Sequence, residues 1–129
     1  MFTPQARELL QKPLIARMSV VDPEGYPHTV PVWYAIDGDD VVIISERATR
    51  KVDYIKTNPK GCLVVGGDAG EGYMIKGTFS AEPDPDHKWM IHMIRLYEPA
   101  EKVEQTIVEW SELDIIVLRL KPTKVIKVA

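Results

Sequence analysis

Residues 14–45 constrain the fold more than any other stretch, because they read as strands joined by tight turns. In Leu14–Val21, Leu14, Ala16, Met18 and Val20 fall on one side and Arg17 and Ser19 on the other. That period of two belongs to a half-buried strand. Asp22-Pro23-Glu24-Gly25 follows, with Asp first, Pro second and Gly fourth, the residue order of a type I turn. The chain returns through Tyr26–Ile36, turns again at Asp37-Gly38-Asp39-Asp40 and runs out through Val41–Ser45. These three runs predict a meander. Further strands are expected at Cys62–Val65 and Tyr73–Ala81, joined by the glycine-rich loop Gly66–Gly72, and at Ile115–Leu120 and Lys124–Val128. Seven strands joined mostly by hairpins favour a closed antiparallel barrel, since closure leaves few unpaired edges.

Helices are expected at the junctions. Gln5–Leu10 can form one, ended before Pro13, and Arg50–Asn58 a second, with Thr49 as cap and Pro59 as stop. Asp84-Pro85 opens a third, in which Met90, Met93, Ile94 and Tyr97 share a face. After Pro99, Val103, Ile107 and Trp110 repeat that spacing. The predicted class is mainly β (α+β), an antiparallel barrel with peripheral helices, in a single domain over residues 1–129.

Sixteen Lys and Arg against nineteen Asp and Glu give −3, which argues against a nucleic-acid or anionic membrane surface as partner. One cysteine, Cys62, excludes an internal disulfide and a multi-cysteine zinc site, and reads as a small buried hydrophobe. His87 and His92 are five apart, off the helical spacing of a metal pair, so no metal is expected. The uncharged apolar runs are too short to cross a bilayer, and Met1-Phe2-Thr3-Pro4-Gln5 lacks the pattern of a leader. A cytoplasmic protein is the expectation. The loop Gly66-Gly67-Asp68-Ala69-Gly70 lacks the spacing of a phosphate-binding loop and reads as a hairpin turn, while the net −5 of residues 98–114 reads as a solvated helix face.

Two stretches carry candidate chemistry. Residues 45–60 hold five basic side chains (47, 50, 51, 56, 60) against two acidic ones (46, 53), a local +3. Arg50 and Lys51 stand in the first turn of the expected helix, at the positive end of the macrodipole, where cations are disfavoured unless they serve something. With exposed backbone N–H groups and a Thr hydroxyl they suit a phosphate; a solvated basic helix end is the alternative. The second stretch is Thr29-Val30-Pro31-Val32-Trp33-Tyr34. Proline inside a strand belongs at an edge, at a bulge or beside something other than a strand, and two large aromatics follow it. Such a wall suits a flat ring, and barrel core plus an edge proline is the plainer account.

Together, Pro27-His28-Thr29-Val30-Pro31-Val32-Trp33-Tyr34, an Asp-Gly turn, Val41–Ser45, Arg50-Lys51-Val52 and Asn58-Pro59 resemble the pyridoxamine 5'-phosphate oxidase-like superfamily. The resemblance covers roughly residues 10–82 and implies a split β-barrel of the FMN-binding type. It also implies that Thr29, Val30, Pro31, Val32, Trp33 and Tyr34 line the isoalloxazine ring, that Ser45, Arg50 and Lys51 hold the phosphate, and that the protein is a homodimer with a cofactor site at each end of the subunit interface. The oxidase proper usually has a basic residue at each end of the ring-lining segment, where Thr29 and Tyr34 stand here. It also has a closing Trp-and-Arg motif, whereas no tryptophan follows Trp110. These departures weigh against vitamin B6 oxidation and toward the smaller flavin- or deazaflavin-dependent reductases.

Three readings follow: an FMN-dependent oxidoreductase; a reductase using the deazaflavin F420, whose acidic tail would call on Arg47, Lys56 and Lys60; or a non-enzymatic binder of flavin or haem. No side chain stands out as an obligatory acid or base, so catalytic residues and substrate stay unassigned.

Overall fold

The strand expected over residues 26–36 is broken, and the break organises the whole sheet. In the computed structural model, which describes residues 1–128, it forms β2 (Pro27–Val32) and β3 (Tyr34–Asp37), with Trp33 in neither. β2 pairs with β1 (Ala16–Val21), whereas β3 pairs with β4 (Asp40–Glu46). With β5 (Lys60–Gly66), β6 (Gly72–Glu82) and β7 (Ile115–Lys127), the order across the antiparallel sheet is β2-β1-β5-β6-β7-β4-β3. The two outermost strands are therefore consecutive in the chain. A single residue, Trp33, links them, so the sheet must curl until its edges come together there. The result is a split barrel, mainly β with peripheral helices.

The expected meander is corrected by this order, because its second strand serves both edges. Periodicity reports which face of a strand is buried and says nothing about which neighbour it pairs with. A second correction is that the strands expected at Ile115–Leu120 and Lys124–Val128 are one, unbroken at Lys121-Pro122-Thr123. β7 runs straight on, with Pro122 opposite Gly77 and Thr123 as the extra residue of a bulge. The bulge suspends the ladder locally, which is where a residue without an N–H is tolerated. A Cβ on Gly77 would collide with the Lys121 carbonyl oxygen, so the close approach of the two strands depends on that glycine.

The first turn forms as expected from its residues. Gly25 N–H donates to the Asp22 carbonyl (3.0 Å), and the Asp22 carboxylate accepts from Glu24 N–H (2.9 Å) and Tyr26 N–H (2.8 Å). Gly25 sits at φ 89°, in the left-handed region that closes a short hairpin loop.

Ala16, Met18, Val20, Ile43, Leu63, Ile75, Leu118 and Leu120 fill the barrel and are closed to solvent. Val52 and Ile55 of α2 (Arg50–Thr57) and Ala6 and Leu10 of α1 (Pro4–Leu10) join them. Each large aliphatic side chain so buried contributes about 1.5–3 kcal/mol. α3 (Lys88–Tyr97) and α4 (Val103–Trp110) lie against the outer face instead. Met93 packs there on Val42 and Val117, while Met90 and Ile94 pack with Val103, Ile44 and Trp33. Asp84 does cap α3, its carboxylate accepting from Trp89 N–H and Met90 N–H (both 2.9 Å). It reaches across a single 3-10 turn, Pro85–His87, in which Asp86 and His87 take positive φ.

Arg119 of β7 fastens the β3–β4 hairpin. Its guanidinium donates to Asp37 (2.9 Å), Asp40 (3.2 Å) and Glu82 (2.9 Å), tying the hairpin to the adjoining strands.

Candidate functional site

Because β2 ends and β3 begins at Trp33, the sheet opens beside that residue. A cleft of about 360 Å³ lies there, where the ends of β2 and β4 meet the starts of α2 and β7 and the end of α4. Ser45, Glu46 and Lys51 give it a polar part and Pro31, Val32, Trp33, Ile44, Trp110, Leu113 and Ile115 an apolar one, the two meeting where Glu46 pairs with Ile115 across β4 and β7.

Ser45 is the inward-facing residue near the end of β4, buried, with its hydroxyl donating to the Glu46 carbonyl (2.9 Å) and 3.2 Å from the Thr49 hydroxyl. Thr49 occupies the N-cap of α2 but its side chain does not cap it; the hydroxyl donates back to the Glu46 carbonyl instead (3.2 Å). The opening N–H groups of α2 thus keep no side-chain partner, and they form the positive end of the helix dipole. Lys51 stands in that first turn, half-buried, with no ion pair or hydrogen bond among the described residues. Burial lowers its pKa below the usual lysine value, and the nearby Glu46 charge only partly opposes this.

The apolar end is held by an aromatic stack. Trp33 lies parallel to Tyr97 (centroids 4.8 Å apart, 8° between planes) and leans on Trp110 (5.5 Å, 31°). The Tyr97 hydroxyl accepts from Tyr34 N–H (3.2 Å) and donates to the Leu14 carbonyl (2.6 Å), supplying partners to backbone groups at the break between the strands. Burial raises the pKa of Tyr97, so the hydroxyl stays protonated and able to donate. The two ends of the cleft are clamped together by Arg47 and Asp114. Arg47 N–H donates to the Asp114 carbonyl (2.9 Å), and its guanidinium Nε to the Asp114 carboxylate (2.8 Å).

Of the residues expected from sequence, Pro31, Val32, Trp33, Ser45 and Lys51 come together in the cleft. The others sit elsewhere. Thr29 is exposed on β2, bonded to the Ser19 hydroxyl across the strand pair (2.8 Å). Val30 packs against the barrel core, and Tyr34 lies within it, its hydroxyl donating to the Lys12 carbonyl (2.9 Å). Arg50 is exposed at the start of α2, outside the cleft lining. Trp110, Leu113 and Ile115 were not expected there. Trp110 reads in sequence as one more apolar position on a helix face, and Leu113 stands in a stretch whose charge reads as solvated.

The arrangement can hold an anionic group at one end and a flat apolar body at the other. Its side chains include one carboxylate, Glu46, and one amine, Lys51, and no activated nucleophile. Among the described residues no cluster of His, Cys, Asp or Glu could hold a metal, and no helix is long and apolar enough to cross a membrane.

Solved structures with the same fold include an F420 reductase (22% identity, covering 93% of this chain and 94% of that one, TM-score 0.75). A conserved hypothetical protein from Mycobacterium tuberculosis matches at 14% identity over 98% of this chain and 84% of its own, with TM-score 0.78. A FAD-binding protein from Mesorhizobium loti matches at 17% identity over 97% and 92%, with TM-score 0.68. None of the curated proteins matches the chain. The family model described as pyridoxamine 5'-phosphate oxidase matches residues 2–128, nearly the whole chain. A match over nearly the whole of a split-barrel chain shows the family: this chain belongs to the pyridoxamine 5'-phosphate oxidase family.

Proposed function

We propose that the chain is an FMN-binding oxidoreductase of this family, acting as a homodimer, with the cleft beside Trp33 as its cofactor site. The observation that carries the reading is Lys51. A half-buried ammonium group without an ionic partner, next to a buried hydroxyl and an uncapped helix start, is matched by a phosphate. Pro31, Val32 and Trp33 provide apolar surface for a flavin ring in the same cleft. The flavin, when bound, supplies the electron-transfer chemistry; the protein positions it and shields one side from water.

The F420 reductase among the structural relatives keeps deazaflavin as the second reading. Its acidic tail would call on Arg47, Lys56 and Lys60, but Arg47 is already committed to Asp114, which favours FMN. A dimer is supported by the outer face of the sheet, where Val64, Met74 and Ile126 lie in one cross-strand row, apolar and half-exposed. A stable face-to-face interface would bury about 1,600 Å².

The test is direct. The purified protein is expected to carry a two-banded flavin spectrum, to bind FMN more tightly than riboflavin, and to sediment as a dimer at micromolar concentration. A deazaflavin band would give the site to F420, a Soret band would give it to haem, and a monomer lacking affinity for any of these would sink the reading.

A further inference from the structure

We infer that Trp110, the last residue of α4, is the surface on which the ligand ring packs, so that α4 belongs to the binding site as well as to the support of the sheet. The inference rests on the flavin reading above and goes past it in naming the ring contact. One face of Trp33 is already taken by Tyr97, stacked parallel at 4.8 Å, and no ring can insert there. Nor can Tyr97 readily swing away, because its hydroxyl is bonded to backbone groups of both Leu14 and Tyr34. Trp33 is therefore a fixed support. Trp110 leans on it at 31°, lines the cleft, is only half-buried, and its indole N–H makes no hydrogen bond among the described residues. A half-buried indole with an unused donor offers a flat ligand both packing area and a polar contact.

The position of Trp110 is fixed rather than loose. Leu113 N–H donates to the Trp110 carbonyl (3.0 Å), and the Ser111 hydroxyl to the Ile107 carbonyl (2.6 Å), closing the helix end. The Arg47–Asp114 clamp then sets that end against the segment bearing Ser45 and Lys51. The ring wall and the anion end are thus held at a defined separation, which is what binding one ligand at both ends requires.

The experiment measures FMN and riboflavin affinity for wild type, Trp110→Ala, Trp110→Phe and Lys51→Ala, with Trp89→Phe, away from the cleft lining, as control. Trp110→Ala is expected to weaken both ligands alike, about tenfold, and Trp110→Phe both by about threefold, since phenyl keeps part of the packing and loses the donor. Lys51→Ala should weaken FMN alone, and Trp89→Phe neither. Trp110 also packs against the outer core, so melting of the ligand-free variants is followed in parallel, and Trp110→Phe carries the test if Trp110→Ala does not fold. If wild type binds both ligands and both folded Trp110 variants do so equally well, this inference fails while the flavin reading stands. Loss of FMN with riboflavin retained would assign Trp110 to the anion end and also overturn it. Wild type binding neither ligand would overturn the flavin reading, and this inference with it.

Discussion

Arg119 and Lys51 are both cations drawn partly out of solvent, and their surroundings treat them in opposite ways. Burial alone would lower the pKa of Arg119, but the hydrogen bonds it donates to Asp37, Glu82 and Asp40 outweigh it and raise the pKa above its ordinary value. Lys51 has burial without a partner, and its pKa falls. Arg119 joins the hairpin β3–β4 to β6 and β7, so its charge is used within the fold. Lys51 is a charge the fold compensates only partly, through the nearby Glu46, and it lines a cleft. A buried cation that is satisfied argues for structure; one that is unsatisfied argues for a ligand.

Breaking the Arg119 side of this comparison should give the largest effect on folding. Arg119→Ala leaves three carboxylates gathered without their cation, and unfolding in denaturant should show a loss of about 2–4 kcal/mol. Because these carboxylates are partly exposed, the loss should sit at the lower end and diminish in salt. FMN affinity, measured on the folded fraction, should not change.

On the other side, Lys51→Ala should cost about 1.5–3 kcal/mol of FMN binding, roughly ten- to a hundredfold, while the ligand-free protein melts at or slightly above the wild-type temperature. Arg50→Ala sharpens the point. The resemblance implies that both residues hold the phosphate, but Arg50 is exposed and outside the cleft lining, so its removal should cost about 1 kcal/mol or less. Isothermal titration of both variants separates them, and equal losses would return Arg50 to the anion site.

The pH dependence follows from the direction of the Lys51 shift. Its pKa in the fold lies below the ordinary 10.5, so between the two values the unfolded chain holds a proton that the folded chain has released. Stability attributable to this group therefore rises with pH through that window, and below it the penalty of burying the charge is fully present. Lys51→Met removes the penalty. The variant should be the more stable at neutral pH, and its advantage should shrink as pH approaches 10.5. Taking the difference between the two proteins removes the contribution of Tyr34 and Tyr97, whose raised pKa values lower stability at alkaline pH in both. FMN binding should take up a proton in the same window and weaken as pH rises through it.

The smallest expected effect belongs to the clamp. Arg47 and Asp114 are largely exposed, so Asp114→Asn should change stability by less than about 1 kcal/mol. It should nonetheless weaken FMN by about two- to threefold and leave riboflavin nearly unchanged, because the clamp spaces the two parts of the cleft and only FMN engages both.

Much of the site was legible before the fold. Pro31 breaks strand chemistry, Lys51 stands where the helix dipole disfavours it, and each anomaly is visible in the residue order alone. The Thr29–Tyr34 run, however, was read as one wall, and strand alternation cannot make it one. Val32 borders the cleft from the end of β2, while Tyr34, just beyond the break, is buried in the core. Trp110 and Leu113 leave almost no trace, since a residue brought to a site from about sixty positions away carries no local signature of it.

Residue order dictates the local decisions: where strands alternate, that Asp22 and Gly25 close a hairpin, that Asp84 caps a helix, which helix face is apolar. These depend on neighbours within a few residues, and their physics is contained in the order of the side chains. Strand pairing is settled at the level of the whole sheet. Seven strands were expected and seven form, yet one expected strand divides at Trp33 and two merge through the bulge at Thr123. Both choices are made by sheet closure, in which backbone groups distant in the chain must find partners for one another. The cleft exists because of that closure: it opens where the edges join at Trp33, and its far wall arrives with α4 from the other end of the chain.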